Sequence, residues 1–303
     1  MELFTICVFS YNNLDSLETT IRSIYKQTYP DIEVIVSDDC SAVSDISVRT
    51  KINNIIGPYK NKFRRTYINV NQKNVGTVKN INMVLPQIKG KYICLLGSGD
   101  QLYKEDVLEK VVNFFKNTDY LLCYSKQLMP LTLNKQIIYP QHRVIKAISR
   151  GNKDLLKLCC REVNHITTIG AFFTRKIFEK YEKFDENYVL LEDAPFFLTL
   201  LLDGVKIGFL DEITCIHEKG GVSNSKMKNK LLEKDSVKTL LEIKYPQRDK
   251  FDKFTQRILK FKYKVRTGKK LLDRVYACVW YPDAALYLMI FLLKDWIKRK
   301  RFL

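Results

Sequence analysis

Two stretches place carboxylates where chemistry would need them. In YVLLEDAPFFLTLLL, the pair Glu192-Asp193 stands at the head of an apolar run. A carboxylate opening an apolar helix can be a cap favoured by the helix dipole, and it is equally what a general base in a cleft looks like. In KYICLLGSGDQL, Asp100 follows an apolar run that stops at Gly97-Ser98-Gly99. Hard oxygen ligands suit Mg2+ or Mn2+, which often bind through one or two protein carboxylates with diphosphate oxygens completing the shell. A turn residue is the plain alternative for Asp100. His217, in ITCIHEKGG, could be core, surface or ligand.

Further polar clusters follow other apolar runs. Ser37-Asp38-Asp39-Cys40-Ser41 comes after IEVIVS, and Ser10-Tyr11-Asn12-Asn13 after FTICVF. The turn beyond a strand's carboxyl end is the usual ligand crevice of open α/β sheets, where an Asp can accept from a base N–H or from ribose hydroxyls. A loop that merely caps the next helix is the competing reading. Asn74-Val75-Gly76, with Lys79-Asn80 behind it, opens a helical pattern whose backbone N–H groups and Lys suit a phosphate.

These residues need elements to position them, and the first half alternates strand and helix patterns. FTICVF, IEVIVS, residues 66–70, YICLLG and YLLCYS read as strands. Residues 14–26, about 44–55, 76–88 up to Pro86, and 104–116 read as helices. Further on, GAFFTRKIF reads as a strand running into a helix and APFFLTLLLDG as a buried helix. VKIGFL and ITCIHE read as two short strands. This alternation predicts an α/β fold with a mostly parallel central sheet and helices on both faces.

The chain has 303 residues, 46% of them hydrophobic and 28% charged, enough to bury a full core. Its eight cysteines include no CxxC pair, so reduced thiols in a cytosolic protein are expected. The N-terminal LFTICVFS has neither the basic region nor the cleavage site of a signal peptide. The net charge of +18 is uneven: residues 226–303 hold 22 Lys and Arg against 8 Asp and Glu, a net of +14. That asymmetry points to an anionic partner surface for a helical, Lys-rich tail beginning near 225. The run Ala284 to Leu293 is ten residues long, flanked by Trp280, Tyr281 and Trp296 and closed by Lys298-Arg299-Lys300-Arg301. A bilayer span takes roughly 20 residues, so a helix lying in the membrane interface fits better. Packing on the body is the alternative. Nucleic acid is disfavoured, because the bases are interleaved with long aliphatic runs and no nucleic-acid motif is present.

Taken in order, FSYNN, QTYPDIEVIVSDDCS, NVGTVKNIN, GKYICLLGSGDQL, FDENYVLLEDAPF and the late His-Glu-Lys-Gly-Gly match one layout. The chain resembles the glycosyltransferase family 2 proteins, nucleotide-sugar-dependent enzymes with the GT-A fold, over about residues 3–222. The resemblance implies a nucleotide-sugar-binding half at 1–105 and an acceptor-binding and catalytic half at 106–225; the helical, basic region expected to associate with a membrane, 226–303, lies outside it. It implies that Ser10 and Asn12 line the nucleotide pocket, with Asp39 on the base and Asp38 beside it. Asn74, Gly76 and Lys79 would border the nucleotide and its diphosphate. Asp193 matches the general base, Glu192 would orient it, and His217 matches a late position that meets metal or diphosphate.

One departure stands out. The family usually carries two Asp separated by one residue after the third strand, and here those positions are Gly97 and Gly99. Only the following Asp100 is retained, as in some bacterial surface-polysaccharide members with Asn-Ser-Gly-Asp. Weakened Mn2+ or Mg2+ binding through Asp100, diphosphate and His217 is therefore expected. The implied activity is inverting transfer, from a UDP-sugar donor, to a lipid-linked glycan acceptor in bacterial surface polysaccharide synthesis. It would take place on the inner face of the cell membrane. Transfer to a protein-linked glycan and a non-catalytic scaffold role are the alternatives.

Overall fold

The computed structural model describes residues 2–43, 46–132, 135–163, 165–217, 229–268 and 270–300. β1 (Phe4–Ser10) and β2 (Ile32–Asp38) are buried almost throughout, as parallel strands covered on both faces must be. Between them, α1 (Leu17–Tyr25) turns Leu17, Ile21 and Ile24 to the core. α2 (Val48–Ile56) is capped by the Ser47 hydroxyl, which accepts from the Thr50 N–H; residues 44 and 45 of the expected helix lie outside the described residues. It leads to β3 (Arg65–Val70), and α3 (Thr77–Val84) leads to β4 (Tyr92–Gly97). α3 stops short of Pro86, which has no N–H to continue the helical ladder.

These four strands pair in parallel, in the order β3-β2-β1-β4. The order reverses at β1, so a crevice opens beyond the carboxyl ends of the strands. In register, Ser10 lies opposite Asp38, and Phe9 opposite Gly97.

The second half adds β5 (Gln101–Leu102), α4 (Val107–Lys116), β6 (Leu122–Thr132), β7 (Lys135–Tyr139), α5 (His142–Arg150) and α6 (Asn152–Arg161). After these come β8 (Ala171–Thr174), α7 (Lys176–Tyr181), α8 (Asp193–Leu202) and β9 (Ile207–Ile216). β8 runs antiparallel to both β4 and β6, while β9 runs parallel to β6. The amino end of β8 therefore lies beside the carboxyl end of β4, at the edge where the parallel strands end. The two short strands expected from VKIGFL and ITCIHE are one strand, β9. The polar break that suggested two, Asp211-Glu212, falls at a register shift opposite Ser125 to Gln127, with Asp211 paired to Lys126 at 2.5 Å.

Helices cover both faces, as the sequence pattern predicts. On one face Ile21, Ile52 and Val111 pack against Val34, Phe4 and Phe172; on the other Val78, Phe196 and Phe197 pack against Ile35 and Phe173. Beyond residue 229 come α9 (Lys230–Thr239), α10 (Lys253–Thr267), α11 (Leu271–Trp280) and α12 (Pro282–Lys300). The boundary expected near 225 lies outside the described residues. α10 docks on α6 through Arg161, whose guanidinium donates to the Asp252 carboxylate at 2.9 Å. The Tyr287 hydroxyl of α12 donates to Glu162 at 2.7 Å. Among the described residues no single helix is long and apolar enough to cross a membrane. α11 and the first part of α12 reach that length only together, and the chain turns through 104° between them.

Candidate active site

The crevice is built around the two aspartates at the end of β2. Asp39 is buried, and its Oδ1 accepts from Asn71 Nδ2 and the Val75 N–H, both at 2.9 Å. Its Oδ2 accepts the Gly76 N–H at 2.9 Å. The carboxylate thus ties the end of β2 to the loop 74–76. Asn74 tightens the same turn by accepting from Gly76 at 3.0 Å. Gly76 is required there: its φ is +88°, and a Cβ would lie 2.7 Å from Val189 Cγ1. Asp38 is fully buried and spends both oxygens on Ser41, at 2.7 Å to the N–H and 2.6 Å to the hydroxyl. Asn12 braces the same loop, accepting from the Ala42 N–H at 2.9 Å. Asp38 is thus buried beside this loop, while Asn12 is exposed. Among the described residues, Ser10 Oγ, buried at the end of β1, has no hydrogen-bond partner, a polar atom still to be satisfied.

The structure brings Asp100 and His217 together. β5 pairs with β9 so that Gln101 faces Ile216, and their neighbours meet with Asp100 Oδ1 2.8 Å from His217 Nδ1. Asp100 Oδ2 accepts the Gly97 N–H at 3.0 Å. The glycine at position 99 acquires a backbone reason. A Cβ at Gly97 would sit 3.1 Å from Asp100 Oδ2, and Gly99 has φ +100°, so the turn folds the Asp100 carboxylate back over the space at position 97. A hard carboxylate beside an imidazole suits a divalent cation whose remaining ligands come from a diphosphate. Among the described residues no group of three or more His, Cys, Asp or Glu side chains could hold a metal ion.

The acid pair lies at the head of α8. Thr168, just before β8, donates its hydroxyl to Glu192 Oε1 at 2.9 Å. Burial, and then the adjacent Asp193 carboxylate, push the Glu192 carboxyl well above the ordinary range. Asp193 Oδ1 accepts the Ala194 N–H at 2.5 Å, at the positive end of the helix. Through Thr168 the pair joins the sheet edge that carries Asp39, Asp100 and His217. Through Val189, against Gly76, it joins the loop that Asp39 holds.

Lys79 lies one helical turn beyond Gly76. It is exposed on α3 and lines a groove of about 430 Å3 with Tyr181, Lys183 and Glu186, which none of the other expected site residues lines. Thr168 and Asn71 are not legible in the sequence as site residues, because they bind through single hydroxyl or amide groups.

A family model described as glycosyl transferase family 2 matches residues 5–182. The minor teichoic acid biosynthesis protein GgaA of Bacillus subtilis is 24% identical over 215 residues, covering 69% of this chain and 46% of that protein. The UDP-Glc:alpha-D-GlcNAc-diphosphoundecaprenol beta-1,3-glucosyltransferase WfaP of Escherichia coli is 29% identical over 125 residues, covering 41% and 46%. The chain therefore spans less than half the length of these curated relatives. The crystal structure of Staphylococcus aureus TarS 1-349 in complex with UDP-GlcNAc superposes with a TM-score of 0.61 at 16% identity, covering 93% of this chain and 81% of that one. That likeness is one of fold, and it carries the GT-A architecture across both halves. With the family match extending over more than half its length, the chain belongs to glycosyl transferase family 2.

Proposed function

We propose that the protein transfers a sugar, with inversion, from a UDP-sugar to a hydroxyl of a lipid-linked glycan during bacterial surface polysaccharide synthesis. The observation that carries this reading is the single sheet edge that gathers Asp39 with its loop, the Asp100–His217 pair and, through Thr168, the acid pair. Asp193 takes the proton of the acceptor hydroxyl as that oxygen attacks the anomeric carbon. The bond from that carbon to the diphosphate oxygen breaks on the opposite face, and the nucleoside diphosphate leaves. Glu192, held by Thr168, stays protonated beside Asp193 and keeps a second negative charge out of the base's surroundings. Ser10, Asp39, Asn74 and Gly76 frame the nucleotide. Asp100 and His217 would hold Mn2+ or Mg2+, which supplies positive charge to the departing diphosphate.

The lipid-linked acceptor and a place on the inner membrane face are supported by the tail. α11 exposes Leu271, Leu272, Val275, Tyr276, Val279 and Trp280, and α12 exposes Leu286, Met289 and Leu292. An apolar face of this extent within a strongly cationic segment suits an anionic lipid surface. The similarity to WfaP, named for a diphosphoundecaprenol-linked acceptor, points the same way.

Thermal shift against a panel of nucleotides and nucleotide sugars, with and without Mn2+, tests the donor. A UDP-sugar should raise the melting temperature most. Asp193→Asn should then lower transfer by about 10²- to 10⁴-fold while leaving UDP binding unchanged. Undiminished turnover would remove Asp193 as the base, and no stabilisation by any nucleotide would end the reading.

A further inference from the structure

The segment that delivers the acid pair, residues 187–191, has no regular secondary structure to satisfy its backbone. The N–H groups of Val189, Leu190 and Leu191 bond instead to α9. Asp235, buried at 3% exposure, accepts on Oδ2 three successive N–H groups, from Val189 at 2.9 Å, Leu190 at 2.8 Å and Leu191 at 3.1 Å. One turn on, Lys238 donates from Nζ to the Asn187 carbonyl at 3.1 Å and lies 5.1 Å over the buried Tyr188 ring. From the opposite side, the Val189 carbonyl accepts the Val78 N–H at 3.2 Å, and Val189 abuts Gly76. The segment is thus fixed between α9 and the loop that Asp39 holds. Glu192 follows directly on the last N–H that Asp235 binds.

We propose that α9 is a clamp on the catalytic loop, in which Asp235 and Lys238 are positioning residues for Glu192 and Asp193. The proposal rests on the glycosyl-transfer reading above and assigns a part in catalysis to a helix beyond residues 5–182. Three N–H groups aimed at one oxygen fix the position and direction of the chain entering α8. A general base must sit within hydrogen-bond reach of the acceptor hydroxyl, so small rotations of that chain cost rate and leave donor binding alone. The tail, read from its charge as a membrane element, begins with an element of the active site.

The test uses the full chain with a UDP-sugar donor and two variants. Asp235→Asn keeps an acceptor oxygen but loses the charge that draws three donors. Lys238→Met keeps the packing over Tyr188 and loses the bond to Asn187. Asp235→Asn should lower kcat about tenfold or more, with donor KM and UDP affinity unchanged. Hydrogen exchange should quicken at the amides of 187–193, and Lys238→Met should show the same pattern more weakly. A melting temperature that falls while kcat holds would overturn the clamp, as would kcat and UDP affinity falling together. If Asp235→Asn does not fold, Lys238→Met decides by the same criteria. Wild-type protein that turns over no nucleotide sugar would refute the glycosyl-transfer reading itself. Wild-type turnover with kinetically unaltered variants would refute the clamp alone.

Discussion

Asp100 Oδ1 and His217 Nδ1 lie 2.8 Å apart although 117 residues separate them in the chain. The contact exists because the two-residue strand β5 adds to β9 in a register that sets Gln101 opposite Ile216. Each of the two residues flanks a strand end, so the ladder itself fixes their separation.

This pair should carry the metal response. Asp100→Ala should abolish stimulation of donor hydrolysis by Mn2+, and His217→Ala should weaken the apparent Mn2+ affinity by about 10- to 100-fold. Titration of Mn2+ into EDTA-treated protein measures both. Equal stimulation of wild type and variants would show that the cation binds elsewhere or has no part.

Glu192 should leave a mark on stability against pH. Its folded-state pKa is raised, first by burial and then by Asp193. The folded protein therefore keeps this proton where the unfolded chain releases it, and the associated stability is lost as pH rises above the ordinary glutamate range. Glu192→Gln keeps the neutral form and an oxygen for Thr168. Its melting temperature should gain on that of wild type as pH is raised from about 4. A difference that stays constant across the range would place the proton elsewhere.

Gly76 should tolerate no side chain. At φ +88°, with Val189 Cγ1 at 2.7 Å from a built Cβ, Gly76→Ala should cost about 1–3 kcal/mol and disturb the loop held by Asp39. Chemical denaturation reads the stability, and isothermal titration with UDP reads the loop. Wild-type values in both would mean that the loop yields freely.

The exposed face of α11 should govern vesicle binding. Leu272 and Val279 are 61% and 69% exposed, so replacing both with Glu removes little packing from the protein. Each buried apolar side chain contributes about 1.5–3 kcal/mol, so the double variant should bind anionic vesicles at least about tenfold more weakly in flotation. Unchanged flotation would exclude α11 as the contact.

The local pattern along the chain is enough to read the parallel half of the sheet. The runs FTICVF, IEVIVS and YICLLG are apolar on both faces, and helical periodicity fills the gaps between them, so strand type and crossover connection follow from hydrophobic burial alone. Their polar ends, Ser10, Asp38, Asp39 and Asp100, are legible for the same reason, because a parallel strand delivers its carboxyl end to one known edge. What each carboxylate does there depends on partners remote in sequence. Asp39 holds Val75 and Gly76, Asp38 holds Ser41, and Lys79, one turn beyond Gly76, lines a groove with Lys183 and Glu186. The same limit hid β7, α5 and α6, whose short segments break at Gly151 with φ +100°, and it split β9 at a polar bulge. Asp235 is the clearest case. Its composition marks only one acid among many lysines, and its three hydrogen bonds exist because α9 packs beside a stretch of chain more than forty residues earlier. Periodicity and strand polarity, then, decide which edge of the sheet carries the chemistry. Tertiary packing decides which side chains bind there and which hold others in place, since a hydrogen-bond partner is chosen by proximity in space and not along the chain.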